Sequence, residues 1–274
     1  MALLRGSVNS LGLIAGNGVF PLEVALAARR RGMTLIALAH RNETNPELEA
    51  QVDQITWIKV GELQKIIDVL KAAGVVEAAM AGGIARARLA DSFAPDARAM
   101  KMLASITRWS DDAVLRAIAR EIESEGIAVI DPVPLMDDAI AKPGAMTGSA
   151  PDAGKLRDLD LAFTVARSLG TFDIGQSVAV RGGVVYSVEA AEGTDAALRR
   201  AAAIVGKGLI IAKVAKPGQD LRFDRPAIGP ATIELMSEIG AAILGVEAGK
   251  CLLLERERTL AMAQASNVTV YGHE

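Results

Sequence analysis

Between Lys213 and Thr232 the chain reads KVAKPGQDLRFDRPAIGPAT, directly after the apolar run Gly208–Ile211. Lys213, Lys216 and Arg222 are cations suited to phosphate oxygens, and Asp220 and Asp224 are carboxylates suited to a hard divalent ion. Pro217, Gly218, Pro226 and Pro230 impose an irregular backbone around them, as a loop that presents chemical groups requires. A solvated surface loop has the same ingredients, but Pro and Gly interleaved with alternating charge favour a functional segment. Asp173, Glu189, Glu192 and Asp195 add further carboxylates at strand ends and in loops. A turn at Asp173 and a helix cap at Thr194 or Asp195 would explain those positions without chemistry.

The chain has two histidines, His40 and His273, and one cysteine, Cys251. That scarcity argues against His-rich zinc sites and His-based triads, so hydrolysis here would rest on carboxylates and a hard metal. Cys251 opens the apolar run CLLL and reads as a buried strand residue, and a lone cysteine builds no intrachain disulfide framework. The net charge of −3 and an aromatic content of 3% argue against nucleic acid as a partner.

A second place for phosphate lies near the N-terminus. Gly12, Gly16 and Gly18, with Asn17 among them, follow a strand-like run and precede a helix that starts near Pro21. Helix N-terminal amides and the helix dipole favour anions at such a junction. The GxxxGxG spacing differs from the dinucleotide GxGxxG, and a tight turn alone accounts for glycines here equally well. Gly82, Gly83 and Arg86 end a later strand and would reach the same sheet edge. Asp111 and Asp112 read as a helix N-cap and N1 pair. Gly245–Cys251, GVEAGKC, has the wrong spacing and no Ser or Thr after its Lys, so it is no P-loop.

The segment Lys213–Thr232 resembles the signature of the UDP-2,3-diacylglucosamine pyrophosphatases of lipid A biosynthesis, in the family without the calcineurin-like metallophosphoesterase fold. Phe172–Val180, FDIGQSVAV, Val188–Ala201, VEAAEGTDAALRRA, and Leu11–Ala25, LGLIAGNGVFPLEVA, fit the same family in the expected order. The resemblance implies a hydrolase that releases UMP and 2,3-diacylglucosamine 1-phosphate, with Mg2+ or Mn2+ as cofactor. It implies Asp224, Asp220 and Lys216 as catalytic residues, with Asp224 and Asp220 also as metal ligands. Gly12, Gly16, Asn17, Gly18, Gly82, Gly83, Arg86, Asp112, Thr147, Gln176, Lys213, Gln219 and Arg222 are the implied substrate contacts. The basic residues that usually follow the connector threonine are Gly148 and Ser149 here, which weakens a phosphate clamp at that point. The implied partners are the UDP-linked lipid and its lipid monophosphate product; peripheral membrane contact and a homodimer stay open. A non-catalytic nucleotide- or lipid-binding carrier is the rival reading. A nicotinamide-dependent oxidoreductase is opposed by the glycine spacing and by His40 and Arg41, where an acidic residue would grip ribose.

These residues need a scaffold, and 274 residues suffice for two domains. Apolar runs at 11–15, 33–40, 55–60, 76–83 and 127–130 alternate with helical patterns, which predicts a Rossmann-like parallel-sheet domain over 1–130. Residues 131–154, rich in Pro and Gly, read as a connector. Residues 155–274 then predict a mixed α/β domain that carries the catalytic loop: a helix over 155–169, a hairpin around Gly182-Gly183, a helix over 195–205, the strand of 208–214, a helix from Thr232 and the run CLLL. Both halves carry phosphate-suited loops, and neither alone has a complete site. No run of eighteen apolar residues is present, and the N-terminal apolar stretch is too interrupted for a signal core. A cytoplasmic protein is expected, peripheral at most on the inner face of the inner membrane.

Overall fold

The structure is a computed structural model that describes residues 9–85, 93–107, 110–136 and 138–274. The chain divides into two compact units, Met1–Asp137 with Asp220–Asp224, and Asp138–Gln219 with Arg225–Glu274.

In the first unit the apolar runs form strands β1 (Ser10–Ala15), β2 (Thr34–His40), β3 (Gln54–Ile58), β4 (Glu77–Ala81) and β5 (Ala128–Ile130). All pair in parallel, in the order β3-β2-β1-β4-β5. β1 and β2 are buried almost throughout, as strands covered on both faces must be. Helices α1 (Phe20–Arg30), α2 (Leu63–Ala72), α3 (Ala97–Ala104) and α4 (Asp111–Glu123) supply the cover. One apolar cluster joins Leu11, Leu13, Val24 and Leu35; another joins Ile14, Leu38, Ile67, Leu70 and Ile122. The cap of α4 is Ser110, whose Oγ accepts from the Ala113 amide. Asp111 and Asp112 thus occupy the first turn and not the cap, where they still favour the helix dipole.

The second unit is built on a six-stranded mixed sheet, in the order β6-β13-β11-β9-β7-β8. Its strands are β6 (Gly144–Ala145), β7 (Ser177–Arg181), β8 (Val184–Val188), β9 (Ile210–Lys213), β11 (Ile243–Glu247) and β13 (Thr269–His273). β10 (Ala227–Ile228) and β12 (Leu252–Leu253) form a separate two-stranded ladder. The β7–β8 hairpin turns at Gly182 and Gly183, both at positive φ, and Asp158 accepts from both of their amides. The helices are α5 (Ala153–Thr171), α6 (Thr194–Val205), α7 (Pro230–Glu238) and α8 (Arg256–Ala265). Sequence periodicity does not mark β11, α8 or β13. β11 is nevertheless a buried central strand, paired in parallel with both β9 and β13. Cys251 is fully buried, and desolvation pushes its thiol up to about 12, so it is an inert core residue.

Candidate functional site

In the first unit β1 begins the chain's path outward to β2 and β3, while β4 and β5 lie on its other side. The crevice at the carboxyl ends of β1 and β4 is therefore the topological switch point, where open α/β sheets take their ligands. The backbones there are in intimate contact. The Gly16 amide donates to the Ala81 carbonyl at 2.8 Å, and the Asn17 amide to the Gly83 carbonyl at 2.7 Å. A Cβ on Gly16 would lie 2.2 Å from the Gly83 oxygen, and one on Gly82, at φ +81°, 2.3 Å from the Asn17 oxygen. Glycine is required at both positions by this approach. Gly18 takes a positive φ, with open space where a Cβ would lie, just before α1, and a helix N-terminus of this kind favours an anion. Gly12 serves differently. It lies within β1, buried against Leu70 and Val75, and supplies packing room. Arg86 falls outside the described residues.

The same edge carries polar groups that no sequence motif singles out. After β2 a turn closes through amide bonds from Glu43 and Thr44 to the His40 carbonyl, with Asn42 at φ 66°. Glu43 folds inward to 7% exposure. Its Oε2 accepts from Asn17 Nδ2 at 2.9 Å and from the Ala85 amide at 3.1 Å. His40 Nδ1 donates to the Ala15 carbonyl at 2.8 Å, and the Thr44 hydroxyl donates to the same oxygen at 2.7 Å. Burial holds the His40 imidazole below its ordinary pKa. Its neutral form is thereby favoured, with the proton on Nδ1.

The signature loop is divided between the units. Asp220–Asp224 belongs to the first and runs along α4, where Asp112, Arg116 and Glu123 share a helix face. The Asp220 amide donates to Asp112 Oδ1 at 3.0 Å. Arg222 forks the Asp220 carboxylate, with Nη2 to Oδ2 at 2.8 Å and Nε to Oδ1 at 3.0 Å. Its Nη1 also donates to Glu123 at 2.7 Å and to the Val129 carbonyl at 3.0 Å. Arg116 bonds Asp112 at 2.6 Å and approaches Asp220 at 3.8 Å. The Arg222 bond depresses the Asp220 carboxyl, and the carboxylates of Asp220 and Glu123 raise the guanidinium. Phe223 packs against the core cluster beneath α4. Asp224 closes the turn, half-buried, its amide on the Asp220 carbonyl. A helix that leads into a parallel strand runs antiparallel to it, so the start of α4, with Asp112 and Asp220, lies on the carboxyl edge of the sheet.

Both oxygens of Asp220 are engaged by Arg222, which gives Asp220 an anchoring role in this turn. Among the described residues no group of three or more His, Cys, Asp or Glu converges on one point. Asp224 is the second carboxylate of the loop, and Mg2+ commonly uses one or two protein carboxylates with substrate phosphate oxygens.

In the second unit the expected contact residues have local partners. Lys213 Nζ donates to the Ala227 carbonyl at 2.8 Å, and Lys216 Nζ pairs with Asp173 at 2.7 Å. Gln219 Oε1 accepts from the Lys216 amide at 2.9 Å and closes the turn through Pro217 and Gly218. Thr147 is buried: its hydroxyl donates to the Val268 carbonyl and accepts from the Val270 amide, both at 2.8 Å. Gln176 Oε1 and Ser177 Oγ are buried with no partner among the described residues, and the register sets Ser177 opposite Lys213. Asp173, at φ 58°, is the turn residue expected. The helix at Thr194 starts from Gly193, so neither Thr194 nor Asp195 is the cap; Thr194 donates to Glu189 instead.

Residues 10–139 match the family described as the LpxI N-terminal domain, and residues 142–271 the LpxI C-terminal domain. The chain is 36% identical over 276 residues to the UDP-2,3-diacylglucosamine pyrophosphatase LpxI of Caulobacter vibrioides, covering 97% of this chain and 98% of that protein. Among solved structures, the biotin carboxylase subunit of pyruvate carboxylase aligns at 17% identity and a TM-score of 0.28, over 68% of this chain and 38% of that one. Phosphoribosylglycinamide synthetase from Anaerococcus prevotii aligns at 12% identity and the same 0.28, over 74% of this chain and 44% of that one. At such scores neither likeness bears on fold or activity.

Proposed function

This chain belongs to the LpxI family, and we propose that it hydrolyses the diphosphate of UDP-2,3-diacylglucosamine in lipid A biosynthesis. The products are UMP and 2,3-diacylglucosamine 1-phosphate. The observation that carries the reading is the full-length match to a pyrophosphatase of that name. The anchored turn that ends in Asp224 agrees with it.

Water attacks a phosphorus that already carries negative charge, so the barrier is lowered by cations near the phosphoryl oxygens and by in-line positioning. Asp224 is assigned the reacting end of the site, orienting or deprotonating the water. Asp220 and Arg222 act through it, by holding its turn on α4. The Gly16–Gly18 loop and the start of α1 take phosphate oxygens. Lys216, Lys213, Gln219, Gln176 and Thr147 are assigned to the substrate from the second unit. Mg2+ or Mn2+ would be held by Asp224 with diphosphate oxygens, and supplies charge neutralisation when bound. No helix among the described residues is long and apolar enough to cross a membrane. We place the enzyme in the cytoplasm; peripheral contact with the inner membrane and a homodimer stay open.

The test is UMP release from UDP-2,3-diacylglucosamine by the purified chain and by Asp224→Ala. Loss of about a hundredfold or more in kcat is expected for removal of a base or metal-positioning group, with the melting temperature near wild type. Absence of UMP release by the wild-type chain refutes the function. An active but less stable Asp224→Ala variant refutes the role of that residue.

A further inference from the structure

Glu43 presents an unanswered acceptor. The side chain is more than nine-tenths buried, and its Oε2 is held by Asn17 and by the Ala85 amide. Oε1 is also buried and has no hydrogen-bond partner among the described residues. An anionic oxygen removed from water without a donor is costly, and proteins rarely keep one unless something answers it. The two bonds to Oε2 come from the loops after β1 and β4, so the carboxylate is fixed at the switch point itself. A hydroxyl or N–H of a ligand bound there is the donor this oxygen lacks.

The fold also says which kind of donor. In nucleotide-binding sheets with this strand arrangement, phosphate lies at the glycine loop after the first strand, and an acid following the second strand takes the ribose hydroxyls. At the end of β2 itself stand His40 and Arg41, which cannot do this as anions. The turn through Asn42 places the acid three residues later and folds it back onto the loop that precedes α1. His40, neutral and committed to the Ala15 carbonyl, leaves Glu43 without a nearby imidazolium partner.

We propose that Glu43 is a ribose-binding residue, its Oε1 accepting from the vicinal hydroxyls of the ligand's uridine. The proposal rests on the function proposed above, because it takes the nucleoside from that substrate. The two separate in experiment. Binding of UMP and of 2′,3′-dideoxy-UMP is measured by calorimetry on the wild-type chain and on Glu43→Gln, with UMP release from the lipid substrate assayed in the same preparations. Wild type is expected to bind UMP at least about tenfold tighter than the dideoxy compound, the scale of a hydrogen bond to a charged acceptor. Glu43→Gln should weaken UMP to the level of the dideoxy ligand and discriminate poorly between the two. Equal affinity of wild type for both ligands overturns the assignment, as does undiminished discrimination by Glu43→Gln. Undetectable UMP binding by wild type overturns it too, yet turnover of the lipid substrate in that preparation would leave the proposed function standing. Should Glu43→Gln fold poorly, Glu43→Ala is measured on the same ligand pair: lost discrimination supports the assignment, and kept discrimination overturns it.

Discussion

Replacing Asp220 by Asn separates an anchoring carboxylate from a reacting one. Asn keeps the shape and one acceptor oxygen, but it removes the charge that Arg222 forks. Hydrogen bonds to charged groups contribute about 1.5–3 kcal/mol. The Asp220 side chain is 13% exposed but that of Arg222 is 36% exposed, so water screens part of the interaction and the lower end applies, about 1–2 kcal/mol. Arg222 also retains Glu123 and the Val129 carbonyl, which limits the loss. At about 2–4 °C per kcal/mol for a protein of this size, the melting temperature should fall by about 2–8 °C. Activity should fall by less than about tenfold, because the Asp224 turn is loosened and not removed. Arg222→Ala should cost more stability, because it also loses the bonds to Glu123 and the Val129 carbonyl, and the double variant should lose about 1 kcal/mol less than the sum of the singles. Acid should act in the same direction: with its folded pKa below 3.8, the Asp220 contribution is present above that pH and is lost as the pH falls through the folded value. The measurements are thermal unfolding and UMP-release kinetics on the two single variants and the double. A hundredfold loss of kcat in Asp220→Asn at unchanged melting temperature would show that Asp220 acts on the reaction itself. Strict additivity would show that the ion pair contributes nothing.

Three further outcomes are expected. Exhaustive chelation with EDTA should abolish UMP release and Mg2+ or Mn2+ should restore it, without a change in far-UV circular dichroism; full activity after chelation removes the metal from the reading. Gly16→Ala should destabilise the chain by about 1–3 kcal/mol, the usual cost of overpacking, because its Cβ would meet the Gly83 carbonyl; an unchanged denaturation midpoint would contradict the close approach. His40 has a folded pKa below 6.5, so the unfolded state takes up its proton first and stability should decline as pH falls below about 6.5. His40→Asn should flatten that decline, and an equally steep decline in the variant would assign it elsewhere.

Local sequence determined a good deal. The parallel sheet of the first unit follows from apolar runs separated by helix-length segments, since strands buried on both faces need continuous apolar residues. The β7–β8 hairpin follows from Gly182-Gly183, whose positive φ values suit glycine. The inert Cys251 follows from its apolar neighbours, and the scarcity of histidine directs attention to carboxylates. Each of these is a short-range property of the chain. The family motifs are likewise found by their residues alone, because the types and order that carry them lie close together in sequence.

Tertiary structure decided what those residues do. Asp220 and Arg222 read in sequence as a metal ligand and a diphosphate contact, yet they meet each other and α4, across 108 residues to Asp112 and 99 to Glu123. Gly16 and Gly82 are bound to one another by a backbone approach that spacing cannot reveal, while Gly12 serves packing against Leu70. β11 and β13 have short sequences without a strong pattern, and their strand pairing is tertiary: β11 adds to the edge of β9, and β13 to that of β11. Glu43 escapes a sequence reading because it stands beyond the strand end, and only the turn at Asn42 returns it to the sheet edge. Periodicity reports which face of an element is buried. It cannot report which distant group satisfies a charge or an orphaned oxygen, since that choice is made by pairings that exist only once the chain has closed on itself.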